Sequence, residues 1–343
     1  MKTLYLDCGM GAAGDMLTAA LLELLPNREE FLAELNSLGI PGVTVSSEAA
    51  VKCGIQGTHI TVKINGEEES EKMHGHSHEH SHEHYHTHEH TDDGRLNHQH
   101  SGMHEIEHII EDLPISEKVK ANILAVYSLI AKAESYAHGV PVTEIHFHEV
   151  GTMDAVADIT AVCMLMYRLS PEQVIVSPVH VGSGHVKCAH GILPVPAPAT
   201  AYILRDVPIY GGGIKNELCT PTGAALLKHF ATKFGNMPVM RTSAIGYGMG
   251  QKDFTAANCV RAFIGETEDS DDTIIELCCK LDDMAVEAIA FVKKQFIDAG
   301  ALDVYTVPIE TELSLPCTLL CIVCRKEDKA TMMRLLVSKG KRE

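Results

Sequence analysis

The chain has 343 residues, about two domains at roughly 100–200 residues each. Its residues are 45% hydrophobic, enough for a core, but 5% aromatic with no Trp, which excludes a base-stacking platform for single-stranded nucleic acid. Lys plus Arg total 28 against 46 Asp plus Glu, a formal charge of −18; this excludes phosphate neutralisation along a duplex and points to cations, or to anions reached through bound cations.

In chain order, residues 3–7 predict a strand, followed by a glycine turn and a helix over about 15–25. A second helix is predicted over 28–38, then two short strands near 43–46 and 59–64. Residues 66–104 carry no apolar period and are expected to be a mobile, disordered insertion. It holds most of the 21 histidines, in near-strict alternation: His74, His76, His78, His80, His82, His84, His86, His88 and His90. At neutral pH most of these imidazoles are uncharged and free to bind a divalent metal. Ser116 then reads as an N-cap, Val119, Ile123, Val126, Ile130 and Ala133 recur at helical spacing, and Gly139 reads as the stop. A short strand over 144–149 and a helix over 153–168 follow, and strand-like pieces alternate with glycine turns to about 265. The mostly acidic 266–272 reads as a hinge. Residues 273–343 give β-α-β-β-α, a ferredoxin-like plait whose last strand is missing where the sequence stops at Glu343. The expected class is α/β to α+β, with domains 1–265 and 273–343, the second incomplete. No apolar run approaches about 18 residues, the first residues lack a cleavable apolar segment, and the 11 Cys are an odd number suited to reduced thiols. A cytoplasmic protein is expected, with no membrane and no nucleic-acid partner.

Four constellations could carry chemistry. Gly9-Met10-Gly11-Ala12-Ala13-Gly14 lies between a strand and a helix, with Asp7 before it and Asp15 after it. It reads as a dinucleotide fingerprint, as a turn required only by packing, or as an Asp-flanked site for a metal-bound phosphate. In Glu144-Ile145-His146-Phe147-His148-Glu149, strand alternation puts His146 and His148 on one face, and the next helix makes Asp154 and Asp158 i,i+4 neighbours. The set is either a metal site or a polar strand edge with a capped helix. Cys188 and His190, with His180 nearby, suit Ni or Zn, or are a buried thiol beside a surface imidazole. Pro194, Pro196 and Pro198 then predict a stiff extended segment. Thr220 and Thr222 open a helix, as caps or as a phosphate cradle. Residues 246–253 read as a glycine turn presenting Lys252 to an anion.

These stretches resemble the LarC family of nickel-insertion proteins. The similarity is carried by Leu6-Asp7-Cys8-Gly9, Gly14-Asp15-Met16, His146-Phe147-His148-Glu149-Val150-Gly151, Val186-Lys187-Cys188-Ala189-His190-Gly191, Thr220-Pro221-Thr222-Gly223-Ala224 and Ile245-Gly246-Tyr247-Gly248, and by the His-rich insertion. The resemblance implies a nickel chelatase, a metal-inserting lyase that places Ni²⁺ in pyridinium-3,5-bisthiocarboxylic acid mononucleotide. It also implies CTP with Mn²⁺ or Mg²⁺, and lactate racemase-type apoenzymes as recipients, while the open sheet edge of the unfinished plait leads one to expect a homo-oligomer. In that setting His146, His148 or Glu149 would take the ring proton, and Cys188 with His190, beside Asp154 and Asp158, would hold metal. Asp7, Gly9, Gly14, Asp15, Thr220, Thr222, Lys252, Asp282 and Asp283 would bind substrate and nucleotide, and the tract histidines would gather Ni²⁺. The sequence departs from the family over 309–318, where Glu310 and Glu312 stand in a stretch that is usually basic. That departure and the unfinished plait lead one to expect weak CTP binding. The competing expectations are a non-catalytic nickel store or delivery protein, and an inactive half completed by another polypeptide.

Overall fold

In the computed structural model, which describes residues 1–68, 102–145, 147, 152–188, 191–267, 274–281, 284–310 and 316–340, the opening apolar run forms strand β1 (Lys2–Asp7) inside a large sheet. It belongs to the first of two units, Met1–Thr267. This unit continues with helices α1 (Gly14–Leu22) and α2 (Arg28–Ser37), strands β2 (Val43–Lys52), β3 (Ile55–Ile64) and β4 (Glu67–Glu68), and helices α3 (Met103–Asp112), α4 (Glu117–His138) and α5 (Met153–Leu169). Then come β5 (Gln173–Val176), β6 (Val179–His180), β7 (His185–Cys188), β8 (Gly191–Pro194), α6 (Pro198–Ile203), β9 (Ile209–Tyr210), α7 (Pro221–Phe230), β10 (Lys233–Phe234), β11 (Met240–Met249) and β12 (Cys259–Thr267). Eight strands make one sheet, ordered β10-β5-β1-β12-β11-β3-β2 with β4 beside β3. β1 runs parallel to β5 and antiparallel to β12, so the sheet is mixed and the class is α/β. A mixed sheet of this order is not the doubly wound parallel sheet a dinucleotide fold requires, and the fingerprint alternative for Gly9–Gly14 is overturned.

Local chemistry explains the main elements. Ser116 Oγ accepts the Val119 N–H at the start of α4, and Gly139, at φ 68°, closes it. α5 is apolar on nearly every side, and residues 155–166 are all buried, so it runs through the interior. α1 meets the sheet through small residues. A Cβ on Gly248 would lie 1.8 Å from the Met16 carbonyl oxygen, and one on Gly246 would lie 2.0 Å from that of Ala20. These two β11 glycines let the helix backbone rest directly on the strand.

Several elements differ from expectation. Residues 246–249 are strand, not turn, because their glycines face α1; only 250–253 lie beyond β11. The strands near 43–46 and 59–64 belong to a long hairpin, turned at Cys53 (φ 51°) and Gly54 (φ 80°), a two-residue link with both φ positive. The insertion is shorter than 66–104: Glu67–Glu68 pairs with β3, and α3 starts at Met103 because Ile106 and Ile110 are buried in the core. The tract histidines His76 to His90 lie outside the described residues. Val142–Glu144 is a 3-10 turn rather than the start of a strand. Pro198 opens α6 instead of extending a stiff segment, since a proline fits the first helical position. Glu266 and Thr267 close β12 rather than a hinge.

The second unit, Glu268–Glu343, comprises β13 (Ile274–Leu281), α8 (Val286–Asp298), β14 (Asp303–Glu310), β15 (Pro316–Arg325) and α9 (Lys329–Gly340). Its three strands form an antiparallel sheet, β13-β15-β14. Leu320, Ile322 and Cys324 of β15 pack with Val292 and Phe296 of α8 and Met332 of α9.

The seating of α1 predicts an asymmetry between glycines. Gly248→Ala should destabilise the first unit by about 2–3 kcal/mol, the cost of overpacking. Gly235→Ala, where a Cβ meets nothing within 4 Å, should stay within about 0.5 kcal/mol of the parent. Urea denaturation measures both, and equal effects would contradict the packing.

Candidate functional site

Three helices begin around one cleft of about 340 Å³. α1 contributes Gly14 and Asp15, α5 contributes Asp154 and Asp158, and α7 contributes Thr222 just after Thr220. β3 supplies His59 on the other side, and the segment after β11 supplies Lys252 and Asn258; Glu217 also lines the cleft. The convergence rests on close backbone contacts. A Cβ on Gly14 would lie 2.3 Å from Asp158 Oδ2, and one on Gly223 would lie 2.2 Å from the Ala12 carbonyl oxygen. Ala12 N–H donates to the Leu218 carbonyl at 3.0 Å and Thr220 N–H to the Ala12 carbonyl at 3.1 Å, tying the turn before α1 to the turn before α7.

The charges in this cleft oppose one another. Helix N-termini carry partial positive charge and unsatisfied N–H groups, which favour anions. Yet carboxylates already occupy them. The Asp158 side chain is 7% exposed and accepts the Asp15 N–H, while its Oδ1 has no hydrogen-bond partner. Burial holds the Asp158 carboxyl well above the usual range, and Asp154 and Asp15 push it further. Burial also raises Asp15, opposed by N–H donors of Met16 and its own backbone and by nearby His59. The Tyr127 hydroxyl is raised by burial and then by Asp158 and Asp154. The cleft is therefore short of positive charge. A cation would relieve it, and an anion could enter with that cation on the exposed N–H groups.

His59 is the residue that sequence reasoning missed. Its Nδ1 lies 2.9 Å from the Met249 carbonyl oxygen, which can only accept, so Nδ1 is the donor and Nε2 is the nitrogen left to serve as a ligand. The signal was thin, a single His in an apolar strand. Among the described residues, no three donors of the cleft stand within 4.8 Å of one another, so it holds no closed cage.

Gly14, Asp15, Asp154, Asp158, Thr220, Thr222 and Lys252 all line the cleft. Thr220 acts as a cap, its Oγ1 accepting the Gly223 N–H at 3.1 Å. Lys252 Nζ lies 3.3 Å from Asn216 Oδ1. Asp7 and Gly9 stand outside the lining. Arg261 Nε donates to Asp7 Oδ2 at 2.9 Å across the β1–β12 register, and Gly9 N–H donates to Asp7 Oδ1 at 3.1 Å. His180 is buried, with its ring nitrogens 3.0 Å from the Gly9 carbonyl oxygen and 3.1 Å from that of Gly211, so it braces the glycine turn. Cys188 lies half-buried on the β7–β8 hairpin, also outside the lining. His146, His148, Glu149, His190, Asp282 and Asp283 lie outside the described residues. Phe147, between the first two, is buried with its ring centroid 6.1 Å from that of Tyr127.

The model of a family described as nickel insertion protein matches residues 4–341. A Staphylococcus epidermidis protein named pyridinium-3,5-bisthiocarboxylic acid mononucleotide nickel insertion protein is 34% identical over 98% of this chain and 78% of its own length. A Clostridium kluyveri protein of the same name is 38% identical over 92% of this chain and 75% of its own length. A solved structure titled LarC2, the C-terminal domain of a cyclometallase involved in the synthesis of the NPN cofactor of lactate racemase, apo form, is 28% identical over 20% of this chain and 47% of its own, with a TM-score of 0.19.

The buried carboxylates set a pH dependence. Asp158 has a folded-state pKa above its unfolded value, so both states are protonated at low pH, and as pH rises the unfolded state gives up its proton more readily than the folded one. Its contribution to stability is full below about pH 4 and is lost as pH rises through the folded pKa. Asp158→Asn should raise unfolding free energy at pH 7 by about 1 kcal/mol and flatten this decline. Denaturation of both proteins across pH measures it, and a less stable variant at pH 7 would contradict the charge assignment.

Proposed function

The chain belongs to the nickel insertion protein family, and on that premise we propose that it inserts Ni²⁺ into pyridinium-3,5-bisthiocarboxylic acid mononucleotide in the cleft between the starts of α1, α5 and α7. The observation that carries this reading is the meeting of three helix N-termini with the buried Asp158 and the half-buried Asp15 and Asp154, since the substrate brings a phosphate and the cargo is a cation. The phosphate sits against helix N–H groups, Thr222 and Lys252. Asp154, Asp158 and the Nε2 of His59 hold Ni²⁺ in an incomplete shell. Oxygen and imidazole donors suit a transfer step, because the softer sulfurs of the two thiocarboxylates then draw the metal downhill. As Ni–S bonds form, one ring carbon exchanges its proton for nickel. His146, His148 or Glu149 takes that proton, a role carried over from the sequence resemblance.

CTP with Mn²⁺ or Mg²⁺ and delivery to lactate racemase-type apoenzymes are carried over on the same resemblance, with Asp282 and Asp283 as the nucleotide candidates. A storage or delivery role is favoured by one feature, the alternating histidines of residues 74–90.

Incubating the full chain with the mononucleotide, Ni²⁺ and CTP, and following product by absorbance and mass, tests the proposal; omitting CTP tests the co-substrate. Asp158→Asn should slow insertion by about 100-fold. Deleting residues 74–100 should lower the amount of Ni²⁺ bound while leaving insertion at saturating Ni²⁺ near the parent rate. A parent chain that binds Ni²⁺ but forms no product would favour storage.

A further inference from the structure

Among the described residues, one set of side chains already stands at ligand spacing, and it lies in the second unit. Glu276, Cys278 and Cys321 each offer a ligand atom, and these atoms fall within 4.8 Å of one another. The sheet register brings this about. β13 and β15 are antiparallel, with Cys278 opposite Cys321. Glu276 precedes Cys278 by two residues and so shares its face. On the other side of β15, Tyr305 of β14 is opposite Cys321, which puts a fourth polar side chain on that face. Leu320, Ile322 and Cys324 point the other way, into the core with α8 and α9. The two cysteines are therefore not part of that core. Cys278 is exposed, Cys321 is buried, and both thiols are unbridged.

The distances favour an ion. The two Sγ atoms lie 3.6 Å apart. A tetrahedral ion with metal–sulfur bonds of about 2.3 Å spaces two thiolates by about 3.8 Å. The Tyr305 hydroxyl donates to Glu276 Oε1, which fixes the carboxylate and leaves its second oxygen available, the arrangement expected of an outer partner to a metal ligand.

We propose that Glu276, Cys278 and Cys321 form a site for one thiophilic divalent cation, of the Zn²⁺, Co²⁺ or Ni²⁺ class, with a fourth position open to water and Tyr305 orienting the carboxylate. Two thiolates select against hard ions such as Mg²⁺ and Mn²⁺. Binding releases the two thiol protons to solvent and changes no oxidation state. The site belongs to the second unit and does not depend on the function proposed for the cleft of the first.

The histidine tract would mask a simple binding measurement, so the readout must report sulfur. Residues 74–100 contain no Cys. With the full chain under a non-thiol reductant, Co²⁺ should give a near-ultraviolet sulfur-to-metal charge-transfer band. The band should be lost in Cys278→Ser, retained in Cys188→Ser, and need about tenfold more Co²⁺ in Tyr305→Phe. In the unmodified chain, Zn²⁺ should protect Cys278 from alkylation while the exposed Cys53 still reacts. A band that survives Cys278→Ser, or Cys278 alkylation unaffected by Zn²⁺, would overturn the proposal. So would a Cys278–Cys321 disulfide, formed on mild oxidation, that saturating Zn²⁺ does not slow, since the cysteines would then be a redox pair only.

Discussion

The close approach of α1 to β11 is the constraint on which the rest of the first unit depends. Side chains at Gly246 and Gly248 would hold the helix off the sheet, and its N-terminus would no longer reach the starts of α5 and α7. The same device recurs at Gly14, which admits the Asp158 carboxylate, and at Gly223, which admits the Ala12 carbonyl. Four glycines from three separate stretches of the chain thus act together. Each gives up helix or strand propensity, and together they set three helix N-termini around one cleft.

That geometry creates an electrostatic conflict. Helix starts would stabilise carboxylates, but burial works against ionisation of Asp15 and Asp158, and the charges of Asp154 and Asp15 add to this at Asp158. The folded chain keeps these groups at a cost, which is typical of a site shaped for a ligand rather than for stability. A cation removes the repulsion, and an anion on the N–H groups balances the cation. Weak oxygen donors with open positions also suit a step in which metal must leave the protein. The cysteine pair of the second unit is the opposite case, a compact, sulfur-rich set suited to retention.

Much of this was legible in the sequence. The 3.6-residue period with Ser116 and Gly139 marks α4. The i,i+4 spacing of Asp154 and Asp158 places both on one side of α5, and both reach the cleft. What could not be read depends on distant partners. Asp7 and Asp15 look equivalent as flanks of a glycine turn, but Asp7 is held by Arg261, 254 residues away, whereas Asp15 enters the cleft. The glycines at 246 and 248 resemble a loop until a helix is known to lie on them. His59 gains meaning only from the Met249 carbonyl that fixes its tautomer, and Cys278 and Cys321 gain theirs only from strand register.

Nickel anomalous diffraction from crystals of the full chain soaked with Ni²⁺ and the pyridinium bisthiocarboxylate mononucleotide tests the central claim most directly. The account predicts an anomalous peak in the cleft, bordered by Asp154, Asp158 and His59, with the substrate phosphate at the helix starts. A nickel-loaded substrate seated at the Cys188 hairpin, with the cleft empty, would contradict it.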